Sequence, residues 1–188
     1  MKALDLTNVQ EAGNFRTLPA GGYIVKIENV EDVADKEYLK VSFDIDEGEF
    51  KGFYKDQYVN STFENKKWAG NFFRSYKENA LPFFKGFITA VQNSNKGYKW
   101  ANDETTLKGK KVGIVLQEEE YIKTMGANAG QVGTRLMLQE VHSVDEIKKG
   151  NFTLKPKKTL SDADKPAQVV KQEEVATDYG VTDDDIQF

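Results

Sequence analysis

Cysteine is missing altogether from the 188 residues, and histidine occurs once, as His142. Without thiols the chain can form neither a disulfide nor a thiolate zinc site. One imidazole cannot supply a multi-histidine metal centre, and the usual Ser-His-Asp constellation is hard to assemble around it. There is no apolar run long enough to cross a bilayer, and Met1 to Asp5 shows nothing of a signal peptide. The expectation is a cytoplasmic protein with no membrane partner, no cofactor and no catalytic site.

What the chain does have is uneven charge. The formal net charge is -4. From Thr159 onward there are eight acids (Asp162, Asp164, Glu173, Glu174, Asp178, Asp183, Asp184, Asp185) and only Lys165 and Lys171 against them, a local charge of -6 that leaves residues 1–158 at +2. Periodicity also stops near Lys155, where Pro156, Pro166 and mixed charge take over. These shifts predict one folded domain over 1–154 and a linker with an acidic tail over 155–188.

Within the body, Tyr23 to Val30 and Tyr38 to Ile45 alternate as strands. The second places Leu39, Val41, Phe43 and Ile45 on one face and Tyr38, Lys40, Ser42 and Asp44 on the other. Phe50 to Val59 reads as a third strand with rings on both parities. Ser61 and Glu64 form a capping-box pattern before Trp68, Phe72, Phe73 and Tyr76, which predicts a helix over 62–79. Pro82 opens a second helix with the stripe Phe84, Phe87, Ile88 and Val91, closed by Asn93-Ser94-Asn95 and Gly97. Val112 to Gln117, extending toward Tyr121, and Arg135 to His142 read as the fourth and fifth strands. Ser143 and Glu146 repeat the capping pattern for a short helix ending at Gly150.

Three strands, a helical segment and two strands is the order of the OB-fold, a five-stranded Greek-key barrel. The predicted class is therefore mainly β with a helical insertion and a disordered acidic tail. The OB ligand face lies over strands two and three, between the loops joining strands one to two and four to five. Mapped by order, it selects Tyr38, Lys40, Lys51, Phe53, Tyr54 and Lys55, with Tyr121, Lys123 and Arg135 completing the groove. Aromatic rings beside cations suit single-stranded nucleic acid, because every base has a π-face to stack and every nucleotide a phosphate. Exposed lysines are also commonly solvated surface, and strand tyrosines commonly cover a core. Glu118-Glu119-Glu120 opposes phosphate at the Tyr121 edge.

Two other constellations carry less. Gly126 to Gly133 has the glycines of a phosphate loop but no Gly-Lys-Ser/Thr ending and no following helix, so it reads as a hairpin. Asp44, Asp46, Glu47 and Glu49 have the composition of a solvated turn, with Mg²⁺ or Ca²⁺ binding as the alternative.

The last six residues, Asp183-Asp184-Asp185-Ile186-Gln187-Phe188, join carboxylates to apolar side chains where termini are ordinarily loose and polar. Asp183, Asp184, Asp185, Ile186 and Phe188 suit docking on another protein, with acids on a basic rim and the ring in an apolar pocket. This tip resembles the ending Asp-Asp-Asp-Ile-Pro-Phe of bacterial single-stranded-DNA-binding proteins, departing only at Gln187. Strand order and Lys108-Gly109-Lys110-Lys111-Val112 are similar to the divergent single-stranded-DNA-binding proteins of bacteriophages and prophages. The resemblance implies a non-enzymatic protein that coats single-stranded DNA and recruits replication, recombination or repair proteins through its tip. A protein-interaction adaptor, such as a recombination mediator or loading factor, is the alternative. The oligomeric state stays open.

Overall fold

The computed structural model describes residues 3–5, 7, 16–62, 64–124 and 126–161, and the acidic tip lies outside them. Five antiparallel strands form one sheet in the order β3-β2-β1-β4-β5: β1 is Gly21–Val33, β2 Tyr38–Ile45, β3 Asn71–Ser75, β4 Lys111–Ile122 and β5 Val132–His142. The expected barrel is not closed: the described strands make an open sheet with β3 and β5 at its edges. The long β1 is its axis. Its first half pairs with β4 from Gly21↔Leu116 to Lys26↔Lys111, while Val25 to Val33 pair with β2, with an irregularity between Ile27 and Asn29.

One face of the sheet is the core. Leu39, Val41, Phe43 and Ile45 of β2 are all buried, as their alternation predicts, and meet Val25, Ile27, Val112, Ile114 and Phe72. Helix α2, Leu81–Ser94, lays Phe87, Ile88 and Val91 against this layer. A stripe at helical spacing buries one side of a helix against the apolar face of a sheet, so strand alternation and helix periodicity converge on one core. Pro82 stands in the first turn of α2, as expected.

The segment between β2 and α2 corrects the sequence reading twice. Residues 53–60 are a helix, α1 (Phe53–Asn60), not a third strand, and β3 falls inside the stretch expected to be helical. Ser61, read as the start of a helix, closes α1 instead. The reason lies ten residues upstream. The N-cap position of α1 is Gly52, which has no side chain to offer. The buried Asp44 carboxylate takes over that role, accepting from the N–H groups of Tyr54 at 3.0 Å and Lys55 at 3.2 Å, and from Ile45 at 2.8 Å. These are the amides that a local N-cap side chain serves, here satisfied from a neighbouring strand.

The opposite face of the sheet is divided. Over β1 and β4 it is covered by α3, Val144–Lys149, whose N-cap Ser143 accepts from the Glu146 N–H at 3.3 Å. Gly113 lets α3 sit close: a Cβ there would lie 2.4 Å from Ile147 Cγ1. Residues 155–160, expected to belong to the linker, run along β4 beyond the point where β1 begins. Lys158 N–H donates to Glu118 O and Glu120 N–H to Lys158 O, each at 2.8 Å. Over β2 and β3, that face carries Tyr38 and Phe73.

Asp44→Ala should destabilise the fold by about 1–3 kcal/mol, because it leaves buried donors unsatisfied, whereas Asp44→Asn, which keeps an acceptor oxygen, should lose less. Urea unfolding of the two variants checks this.

Candidate functional site

The nine side chains selected from the sequence do not converge. They fall into three groups along the sheet. Tyr38 and Lys40 occupy the start of β2 on the non-core face, as predicted. Lys51, Phe53, Tyr54 and Lys55 belong to α1 and the turn before it, which pack at the other end of β2; Tyr38 and Asp44 are six residues apart, or about 20 Å of strand. Tyr121, Lys123 and Arg135 lie on the β4–β5 hairpin.

The α1 group is largely structural. Tyr54 is buried, its ring 5.3 Å edge-on from Phe43, and burial pushes its hydroxyl well above the usual phenol range. Phe53 stacks edge-on with Phe50 and Tyr54 at 6.3 and 5.2 Å. Only Lys51 and Lys55 of this group are exposed.

The hairpin group is neutralised by its own strand. Glu119 lies across from Arg135 in the register, and Arg135 donates to it from Nε at 3.2 Å and Nη2 at 3.0 Å. Lys158 reaches the same carboxylate at 2.5 Å, while Lys157 meets Glu120 at 3.2 Å and Lys155 meets Glu140 at 3.2 Å. Tyr121 is buried beneath the Arg135 guanidinium, whose Cζ is 5.1 Å from the ring centroid. Glu119, one of the acids that seemed to repel a phosphate, thus also occupies Arg135, a cation meant to hold it. The Lys158 ammonium, and after it the Arg135 guanidinium, hold the Glu119 carboxyl below its usual range against the opposing push of burial.

The start of β2 is different. There Tyr38 and Phe73 meet edge to face, centroids 5.3 Å apart, with Lys40 directly across from Phe73 in the register. Phe73 is 48% exposed, unusual for a ring of that size. Lys40 approaches Glu31 only to 3.7 Å with both side chains substantially solvated, a pair too weak to hold the ammonium away from another anion. Lys36 and Lys77 flank this end, brought near each other by the Tyr76 N–H to Glu37 O bond, and neither is ion-paired among the described residues. The row continues through Ser42, which donates to Asn71 Oδ1 at 2.7 Å, and Asn71 in turn donates to the Trp68 carbonyl.

Phe73 was not legible as a site residue, since helical spacing assigned it with Phe72 to a core stripe. In the strand it adopts, the two rings point to opposite faces, Phe72 buried and Phe73 out. A second cationic surface lies at Lys108 to Lys110, joined to β1 by Gly109 N–H to Ile27 O at 2.7 Å and Ile27 N–H to Lys110 O at 2.9 Å. There Lys110 Nζ sits 4.8 Å over the Tyr98 ring, beside Lys96 and Lys99.

Three of the four turn carboxylates are engaged within the fold. Asp44 caps α1, and Lys111 holds Asp46 at 2.5 Å and Glu47 at 3.1 Å. His142 contacts Glu140 at 3.1 Å. No protein-family model and no curated protein matches the chain.

Because Glu119 has a depressed pKa in the fold, its contribution is fully present above the ordinary value of 4.5 and is lost as pH falls through the lower folded value. Glu119→Gln should therefore lower stability by about 1 kcal/mol at pH 7, with the gap to wild type closing toward pH 3. Thermal melts of both chains across that range check the sign.

Proposed function

We propose that this chain binds single-stranded DNA without strong base preference, across the face of β2 and β3 that carries Tyr38, Lys40 and Phe73. The observation that supports this best is the exposed Phe73 ring, held edge-on by Tyr38 with an ammonium directly across the register. A solvent-facing aromatic pair gives bases a surface to stack on whatever their identity, and cations beside it take the phosphates. Counterion release then makes the affinity fall steeply with salt.

The architecture proposed is of the OB type. What supports it is a central β1 that pairs with both β2 and β4, a β1-β2-β3 meander, a helix between β3 and β4, and a final β4–β5 hairpin. The protein acts without catalysis in this reading, in the cytoplasm of a bacterial or phage-infected cell. It recruits replication, recombination or repair proteins through Asp183, Asp184, Asp185, Ile186 and Phe188. The tip's support is its sequence alone.

Tyr38→Ala and Phe73→Ala should each weaken binding of a labelled oligo-dT by about 1–3 kcal/mol, or roughly five- to a hundred-and-fiftyfold, with the fold intact. Fluorescence anisotropy at two salt concentrations measures this, with duplex DNA as competitor. Affinity unchanged in both variants would reject the face. No binding by wild type at low salt would reject the function and favour a protein-interaction adaptor.

A further inference from the structure

Arg74 carries a half-buried charge with little to satisfy it among the described residues. It follows Phe73 on β3, so its side chain turns to the other face, where the guanidinium Cζ lies 5.2 Å from the Phe72 ring centroid. No carboxylate pairs with it among the described residues. Among the described residues its one hydrogen bond is long, from Nη1 to the Phe73 carbonyl at 3.4 Å, and its Nε is buried without an acceptor. Desolvation pulls its pKa down to about 10, which still leaves it charged at neutral pH.

A half-buried protonated guanidinium with no counter-ion among the described residues loses part of its hydration without return, and an apolar side chain there would cost less. A half-buried cation ordinarily has a partner, so an unpaired one that still reaches solvent points to an anion that arrives from outside. The strand's position gives that anion a way in. Tyr76 N–H donates to Glu37 O and Phe43 N–H to Gly70 O, so the even-numbered backbone groups of this stretch face β2. The groups of Asn71, Phe73 and Ser75 therefore face the edge of the sheet that pairs with no strand among the described residues, where the Asn71 N–H is already taken by the Ala69 carbonyl at 2.9 Å. Arg74 reaches the Phe73 carbonyl at that edge, one residue from the exposed ring.

We propose that Arg74 and the free edge of β3 form an anion site for a phosphodiester of the strand whose bases stack on Tyr38 and Phe73. The inference rests on the single-strand reading above. Arginine suits the task better than lysine: its planar fork takes two phosphate oxygens at once, and stacking on Phe72 fixes the plane before the ligand arrives.

The test uses the full chain with Arg74→Met, which keeps length without charge, and Arg74→Lys, which keeps charge without the fork. Arg74→Met should melt at or above the wild-type temperature, bind oligo-dT about tenfold more weakly, and reduce the salt slope by about one. Arg74→Lys should fall between. An Arg74→Met chain that binds oligo-dT as tightly as wild type overturns the proposal, whatever its melting temperature. If wild type itself binds no oligo-dT, the single-strand reading fails, and the site is judged by inorganic phosphate. A saturable shift of the Arg74 Nε–H resonance, absent in Arg74→Met, then supports an anion site, and no shift overturns it.

Discussion

The Asp44 carboxylate is the contact on which the arrangement around β2 and β3 depends. By accepting from the Tyr54 and Lys55 amides it makes a helix of a segment whose capping position is glycine. That helix delivers the Tyr54 ring onto Phe43 and over Gly70, where a Cβ would lie 2.8 Å from the ring and 2.4 Å from the Phe43 carbonyl. Gly70 can therefore approach closely enough for its carbonyl to take the Phe43 N–H at 2.8 Å, and β3 starts at the next residue. Register follows from there, and register puts Phe73 opposite Lys40 and beside Tyr38. Burial pushes the Asp44 carboxyl above its usual range while the three N–H donors pull it back, so the cap operates against its own desolvation.

Charge is distributed so that two ends of one sheet behave differently. On β4 and β5, Glu119, Glu120 and Glu140 each have a cation within 3.2 Å, and the chain from Lys155 to Lys158 is laid along the strand by the same contacts. That end is internally compensated and offers little to a polyanion. At the start of β2 the pairing is looser, the Phe73 ring is exposed, and the half-buried guanidinium of Arg74 has no carboxylate partner among the described residues. A net charge of +2 over residues 1–158 conceals this contrast, because affinity for phosphate follows where uncompensated charge lies rather than its sum.

Much of the fold was legible wherever one element carried its own signal. Leu39, Val41, Phe43 and Ile45 alternate and are buried; Phe87, Ile88 and Val91 repeat at helical spacing and are buried; Ser143 caps a helix as its spacing from Glu146 implies. The region 50–79 was not legible, for a physical reason. Helix α1 has no apolar stripe and is started by a carboxylate on another strand, a contact that no local pattern announces. Trp68, Phe72, Phe73 and Tyr76 mimic a helical stripe, yet only Phe72 and Phe73 belong to a strand, and that strand is five residues long. Of the candidate site, Tyr38 and Lys40 were legible from strand parity together with the OB-type strand order. Phe73 and Arg74 were not, because their roles depend on which face and which edge β3 presents.

The most direct test of the account is an amide-shift map of the isotope-labelled protein titrated with oligo-dT. The account predicts that the largest changes fall on Tyr38 to Ser42 and Asn71 to Tyr76. Changes centred on Tyr121 to Arg135, or no changes at all, would contradict it.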